Sequence, residues 1–125
     1  MYTVAKEAVK AGLAFCCLQE VKYRKFGKKL IRLDSGECYE FHWAGNKKKR
    51  EAGVGILIRV DPNIQIKDPD IQSARLITMD LVVYGFNLRL INAYSPTNSD
   101  QNETKKDLFY RELRKAFKAK TKKSS

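Results

Sequence analysis

Two polar side chains stand where strands of this sequence are expected to end, and they are the first candidates for chemistry. Glu20 follows the apolar run 13–18, and Tyr94 stands just before a Ser-Pro step at which the proline ends a strand. Functional groups in α/β proteins gather at strand ends, where a carboxylate or a tyrosine can hold a ligand. The plainer alternatives are a solvated glutamate paired with a neighbouring basic residue and an amphipathic aromatic residue at a strand end.

Positive charge dominates the sequence. The 25 Lys and Arg residues stand against 14 acidic residues, which gives a formal net charge of +11. This balance favours a polyanionic partner, either nucleic acid or an anionic membrane surface, although a charge that only keeps the protein soluble is the alternative. Two basic segments accompany the candidate residues: Lys22, Arg24, Lys25, Lys28 and Lys29 follow Glu20, and Lys47, Lys48, Lys49 and Arg50 precede a glycine-rich strand. Both segments could contact phosphates or simply be solvated.

The cysteines and the apolar runs indicate an intracellular setting. Cys16, Cys17 and Cys38 are odd in number and form no CxxC pair, which predicts free, mostly buried thiols in a reducing compartment and argues against a zinc site. No apolar run approaches the roughly 18 residues of a membrane-spanning helix, and charges interrupt residues 1–12, unlike a secretory signal. We therefore expect a nuclear or cytoplasmic protein that does not associate with a membrane.

The elements that must position these residues begin with a helix over residues 3–11, which ends near Gly12. The run 13–18 predicts a strand covered on both faces. The basic segment 22–37 predicts a loop, with a turn at its Asp-Ser-Gly step. Residues 38–45 alternate as a strand does. Their predicted faces are Tyr39, Phe41 and Trp43 on one side and Glu40 and His42 on the other.

The second half of the chain is richer in strands. Residues 52–60 predict a strand entered through two glycines, and 61–70 predict a loop with a short edge strand. Residues 74–85 and 86–96 predict a β-hairpin. A helix follows, whose predicted apolar stripe is Leu108, Phe109, Leu113 and Phe117. This order predicts an α/β (α+β) fold, a mixed-sheet sandwich, because the strands are too closely spaced for a parallel doubly wound sheet.

Four segments, in order and at this spacing, carry a family resemblance: LQEVKY, AGVGILI, RLITMDL and NAYSPTN. They resemble the endonuclease/exonuclease/phosphatase superfamily, and in particular the endonuclease domain of RTE-type non-LTR retrotransposons, a group that includes craniofacial development protein 2-like proteins. WAGNKKKREAGVGI and KKDLFYRELRKA are similar to the same pattern. The resemblance covers about Leu13 to Lys115. It implies that residues 1–118 form the N-terminal part of such a domain. The basic composition of residues 119–125 predicts a disordered tail.

The resemblance also assigns roles to single residues. It implies that Glu20 is a ligand of a catalytic Mg²⁺ (or Mn²⁺) ion and that Tyr94 contacts the scissile phosphate of DNA. Mg²⁺ prefers hard oxygen ligands, and phosphodiester hydrolysis needs charge neutralised on the phosphate, so the chemistry agrees. Arg75 matches a position where the family carries arginine, as a DNA contact or a core-edge ion pair. Asn92 is expected on the same side of its strand as Tyr94.

Several motifs that the resemblance predicts do not occur in these 125 residues. They are an early strand with an asparagine, a Gly-Asp-Phe-Asn motif after the last helix and a terminal Ser-Asp-His; YGFN at 84–87 lacks the aspartate. Without them no general base is available to activate water. We therefore expect a fragment of a Mg²⁺-dependent DNA endonuclease domain that is inactive alone, with exposed apolar sheet surface and reduced stability.

Two other functions are compatible with the sequence. A non-catalytic, basic module that binds DNA or another nucleic acid would explain the charge without any reaction. A phosphoinositide or sphingolipid phosphodiesterase would keep the superfamily but change the substrate. The amino-acid sequences GVGILI and AYSPTN favour the retrotransposon branch over the lipid enzymes. The sequence does not predict the oligomeric state.

Overall fold

The fold is mixed α+β, with antiparallel strands in two sheets. A computed structural model of the protein describes residues 1–48, 53–95 and 103–118. Within these ranges lie two helices and eight strands. Their bounds are α1 Tyr2–Lys10, β1 Phe15–Gln19, β2 Phe26–Arg32, β3 Cys38–Ala44, β4 Val54–Arg59, β5 Ile64–Ile66, β6 Asp70–Ser73, β7 Leu76–Val83, β8 Phe86–Ala93 and α2 Glu103–Lys118.

Each sheet is built from neighbouring antiparallel strands. In sheet 1 the order is β1-β4-β3-β2, so that β1 and β2 are its two edges. In sheet 2, β8 pairs with β7 along its whole length, while β5 and β6 pair with different halves of β7. Because a strand has only two edges, β5 and β6 share the edge of β7 that β8 leaves open.

Two apolar cores hold the layers together. The first lies between the sheets and joins β3 and β4 of sheet 1 to β5 and β7 of sheet 2; its buried members are Ala44, Val54, Ile56, Ile58, Ile64, Ile77, Met79 and Leu81. The second lies between sheet 1 and α1, and its buried members are Ala5, Ala8, Ile31, Leu33, Tyr39, Phe41 and Leu57. Burying large apolar side chains contributes about 1.5–3 kcal/mol each, so these two layers dominate the stability.

Helix α2 is joined to sheet 2 through a buried ion pair. The Arg89 Nε and Nη2 atoms donate to the two carboxylate oxygens of Asp80 at 2.6 and 2.8 Å, and Arg89 Nη1 donates to the carbonyl of Ala116 in α2 at 3.0 Å. The hydrogen bonds with Asp80 raise the pKa of Arg89. Asp80 is only 4% exposed, and the guanidinium of Arg89 compensates the buried charge of its carboxylate.

The predicted hairpin of 74–85 and 86–96 is confirmed. Strands β7 and β8 are joined by the two-residue turn Tyr84-Gly85, and Val83 faces Phe86 across it. The φ angles of Tyr84 and Gly85 are 48° and 84°, both in the left-handed region that a tight turn of this hand requires. The helix predicted over 3–11, the turn at Asp34-Ser35-Gly36 and the edge strand within 61–70 are also present.

The prediction of a loop over 22–37 is wrong in part. Residues 26–32 form strand β2, which pairs with β3 from Phe26 opposite Ala44 to Arg32 opposite Cys38. The basic residues hide a strand pattern in which only Ile31 is buried, and that burial comes from α1 and Tyr39, distant in sequence. An edge strand with charged side chains is also a known protection against unwanted strand pairing.

Two burial predictions are corrected as well. The cysteines are free, but none is buried: Cys38, at the start of β3, is half-buried. Cys17 is exposed and Cys16 is half-buried because β1 is an edge strand rather than one covered on both faces. In α2, Phe109 and Ala116 are buried, whereas Leu108 and Phe117 are 49% and 70% exposed. Of the two helices in the described ranges, neither is long and apolar enough to cross a membrane. The predicted tail, 119–125, lies outside the described residues.

Candidate functional site

The end of β1 is tied to the end of β8, and this junction between the sheets builds the candidate site. The Asn92 side-chain amide donates to the carbonyls of Leu18 and Gly55, at 2.7 and 2.9 Å. Gln19 Nε2 donates to the carbonyl of Ala93 at 2.9 Å. Asn92 is 4% exposed, so its two bonds form away from water and fix the register of one sheet against the other.

This junction brings Glu20 and Tyr94 together, although 74 residues separate them in the sequence. The Tyr94 hydroxyl donates to Glu20 Oε1 at 2.7 Å. Tyr94 is half-buried and packs against the core between the sheets, while Glu20 is exposed. The carboxylate is therefore held at the surface by a tyrosine whose ring is anchored in the core.

Arg75 supports the backbone next to Tyr94. Its Nη1 atom donates to the carbonyls of Tyr94 and Ser95 at 3.4 and 3.2 Å. Its guanidinium carbon also lies 5.2 Å from the centroid of the Tyr94 ring, within cation–π range. Arg75 is therefore a residue that orients Tyr94, which the sequence alone did not predict; a role in DNA contact stays a prediction.

The loop after Glu20 has an unusual backbone. Glu20, Lys22 and Lys25 have φ angles of 53°, 59° and 61°, in the left-handed region that non-glycine residues rarely adopt. Such conformations cost of order 1 kcal/mol or more each and persist where surrounding contacts impose them, often at functional sites. Here the contacts include the bond from Lys25 N to Asn46 O at 2.9 Å and the bond from Trp43 Nε1 to Arg24 O at 3.2 Å.

The loop carries basic side chains along the end of sheet 1. Lys22 and Arg24 are exposed there, and Lys47 and Lys48 are exposed in the neighbouring turn after β3. Tyr23, between the two basic residues, packs in the opposite direction, with its ring 5.3 Å from Phe41 and 4.9 Å from Trp43. Lys49 and Arg50, also predicted to contact nucleic acid, lie outside the described residues.

The described residues do not make up a complete metal site. Across residues 1–48, 53–95 and 103–118, no group of three or more His, Cys, Asp and Glu side chains is placed to hold a metal ion. Glu20 supplies one carboxylate, and one of its oxygens already accepts the Tyr94 hydroxyl. The second oxygen leaves it able to contribute a single ligand to a hard cation, which is less than a metal site requires.

The only histidine in the sequence is not part of this site. His42 is 2% exposed, and its Nε2 atom lies 3.0 Å from Glu40 Oε1. Burial lowers the pKa of His42, while the hydrogen bond with Glu40 acts in the opposite direction. A buried imidazole in the middle of β3 cannot reach the Glu20–Tyr94 edge, so it supplies no general base there.

Comparisons with known protein families, curated proteins and solved structures give no match to this chain.

Proposed function

We propose that this chain is part of a Mg²⁺-dependent DNA endonuclease domain of the endonuclease/exonuclease/phosphatase type, of retrotransposon origin. Glu20 is the ligand that it contributes to Mg²⁺ or Mn²⁺, and Tyr94 contacts the scissile phosphate. The observation that carries the proposal is the 2.7 Å hydrogen bond between these two residues. The two residues belong to separate motifs, 74 residues apart in the sequence.

The layered arrangement supports the same proposal. Helix α1 covers sheet 1, the two sheets face each other, and α2 lies on sheet 2, as expected of the mixed-sheet sandwich that the motifs imply. The exposed basic residues Lys22 and Arg24 follow Glu20 directly, where they can neutralise phosphates on either side of the bound one. DNA is the proposed partner, and the nucleus or cytoplasm is the proposed location.

The 125 residues alone are proposed to be inactive. Hydrolysis needs a group that activates water, and the motifs that would supply it, Gly-Asp-Phe-Asn and Ser-Asp-His, do not occur in the sequence. Tyr94 and Glu20 can bind and orient a phosphate and a cation, and their side chains are hydrogen-bonded to each other. The chain is therefore proposed to position the phosphate and the cation, without a group that takes the proton from the attacking water.

A nicking assay on supercoiled plasmid with Mg²⁺ or Mn²⁺ tests the absence of activity. We expect no cleavage above that of buffer alone. Cleavage that disappears in Glu20→Gln and persists in Glu7→Gln, an exposed glutamate on α1, would show that these residues suffice for hydrolysis.

Binding of Mn²⁺ tests the role of Glu20 without any need for activity. The free Mn²⁺ signal in electron paramagnetic resonance is measured with the chain and a short DNA duplex together. The wild-type chain and Glu7→Gln are expected to bind Mn²⁺ equally, and Glu20→Gln is expected to bind it several-fold more weakly. Equal binding by all three would contradict the assignment of Glu20 as a metal ligand.

A non-catalytic nucleic-acid-binding module is the second candidate, and the +11 charge favours it. Both candidates predict an affinity for DNA that falls steeply with salt. They differ at Glu20, since a simple binder loses a repulsive charge in Glu20→Gln and is expected to bind DNA slightly more tightly, with or without Mg²⁺.

A further inference from the structure

One face of β2 extends beyond the contact between the two sheets. Phe26 pairs with Ala44 and Lys28 pairs with His42, and cross-strand partners share one face of a sheet. Ala44 is buried in the core between the sheets, so this face of β2 points the same way. Yet Phe26 is 63% exposed and Leu30 is 47% exposed, so sheet 2 does not cover them.

The uncovered side chains alternate between apolar and cationic. We call them the β2 face, and they are Phe26, Lys28, Leu30 and Arg32. Glu40 lies opposite Leu30, and its carboxylate is bonded to His42. A shallow pocket of about 340 Å³ at the free edge of β2 is lined by Lys28, Lys29, Leu30 and Glu40, of which Lys29 belongs to the opposite face of the strand. The surface thus combines an exposed aromatic ring, two cations and a concavity within one seven-residue strand.

We propose that the β2 face binds single-stranded nucleic acid, with a base stacked on Phe26 and phosphates contacted by Lys28 and Arg32. Aromatic rings flanked by cations are the surface that single strands use, because every base offers a flat face and every nucleotide a negative charge. A duplex keeps its bases stacked on each other, so it has no free base face for Phe26. Charge complementarity favours this polyanion over an apolar peptide.

The position of Phe26 relates the β2 face to the candidate site. Phe26, Ala44, Val54 and Gln19 form one row across sheet 1, at the end where Glu20 follows. Three strand spacings of about 4.8 Å place Phe26 roughly 14 Å from Gln19. The basic loop 20–25 spans this distance, so a nucleic-acid strand bound to the β2 face can continue along the loop. The inference goes beyond the proposed function and does not require Glu20 or Tyr94 to act on a phosphodiester.

Fluorescence anisotropy with a labelled oligothymidylate of about 12 nucleotides, and with a duplex of the same length, tests the proposal. Phe26→Ala is expected to weaken binding of the single strand roughly 5- to 150-fold, as loss of one stacked base predicts, with little effect on the duplex. Lys28→Gln is expected to lower the salt dependence of single-strand binding by about 0.7 in log–log slope. Phe86→Ala is the matched control, because Phe86 is 77% exposed on β8 of the other sheet.

Three results would overturn the proposal. The first is no binding of the single strand at low salt, and the second is an equal loss in Phe26→Ala and Phe86→Ala. The third is self-association of the chain, measured by light scattering, that disappears in Phe26→Ala. That result would mean that a second copy of the chain occupies the β2 face. Single-strand binding is measured without metal on Phe26 and Lys28, and Mn²⁺ binding is measured with a duplex on Glu20, so failure of either proposal leaves the other standing. Circular dichroism checks that each variant is folded, and substitutions at these exposed positions are expected to leave the fold unchanged.

Discussion

Asn92→Asp is the substitution that tests most directly how the two sheets are held at the candidate site. The amide nitrogen of Asn92 donates to two main-chain carbonyls, of Leu18 and Gly55, inside the protein. A carboxylate has the same shape but offers no hydrogen, so its oxygen would face two carbonyl oxygens. The group can avoid this repulsion only by staying protonated, and it then donates to one carbonyl at most.

The cost follows from these two terms. Keeping an aspartic acid of ordinary pKa, about 3.9, protonated at pH 7 requires about 3 × 1.36, or about 4 kcal/mol. The lost hydrogen bond adds about 1 kcal/mol. The new carboxyl group has a folded-state pKa above its unfolded value, so the first term is present at neutral pH and vanishes as the pH falls to about 4. The loss of stability is therefore expected to shrink from roughly 5 kcal/mol at pH 7 to roughly 1 kcal/mol at pH 4.

Urea unfolding of the wild-type chain and the variants at both pH values measures this loss, each variant being compared with the wild-type chain at the same pH. Asn87→Asp is the matched control, since Asn87 is exposed on the same strand and is expected to change stability by less than about 0.5 kcal/mol. Asn92→Ala separates the terms, because it loses both bonds, about 1–3 kcal/mol, without any pH dependence. If Asn92→Asp and Asn87→Asp unfolded at the same urea concentration at pH 7, the inter-sheet role of Asn92 would be refuted.

Three further substitutions test the core. Because the folded-state pKa of His42 lies below its usual 6.5, the wild-type chain is expected to lose stability relative to His42→Gln as the pH falls from 6.5, measured by urea unfolding at about pH 7.5 and pH 5. Arg89→Met removes the guanidinium that pairs with the buried Asp80 carboxylate, at an expected cost of about 3–5 kcal/mol in thermal or urea unfolding; adding Asp80→Leu is expected to recover most of it. Gly55→Ala places a Cβ 2.5 Å from the Phe41 ring, with an expected loss of about 1–3 kcal/mol in the same assay; a neutral result would mean that the ring can move aside.

The sequence predicted two candidate residues of the site, but it did not predict the contacts that hold them together. Glu20 and Tyr94 were found because each ends an apolar strand within a recognisable motif. The role of Asn92 in joining the two sheets was not predicted, since the alternation of a strand indicates which face of the sheet a polar residue lies on and not which groups it bonds. The one available signal was an asparagine within an apolar strand, where a buried amide must be hydrogen-bonded. The support from Arg75 was missed because its acceptors are main-chain carbonyls, which every sequence has.

The sequence by itself determined several local elements of this protein. The alternation in 38–45, the hairpin of 74–85 and 86–96 and the apolar run of β4 each depend on neighbours in the chain, and each forms as predicted. Only the tertiary structure decided that basic residues 26–32 form a strand, that β1 is an edge and that His42 is buried. The physical reason is that periodicity records which residues share a face, whereas burial and pairing depend on what lies against that face. Asn92 and Gln19 bond the end of one sheet to the end of the other, and this junction places Glu20 beside Tyr94.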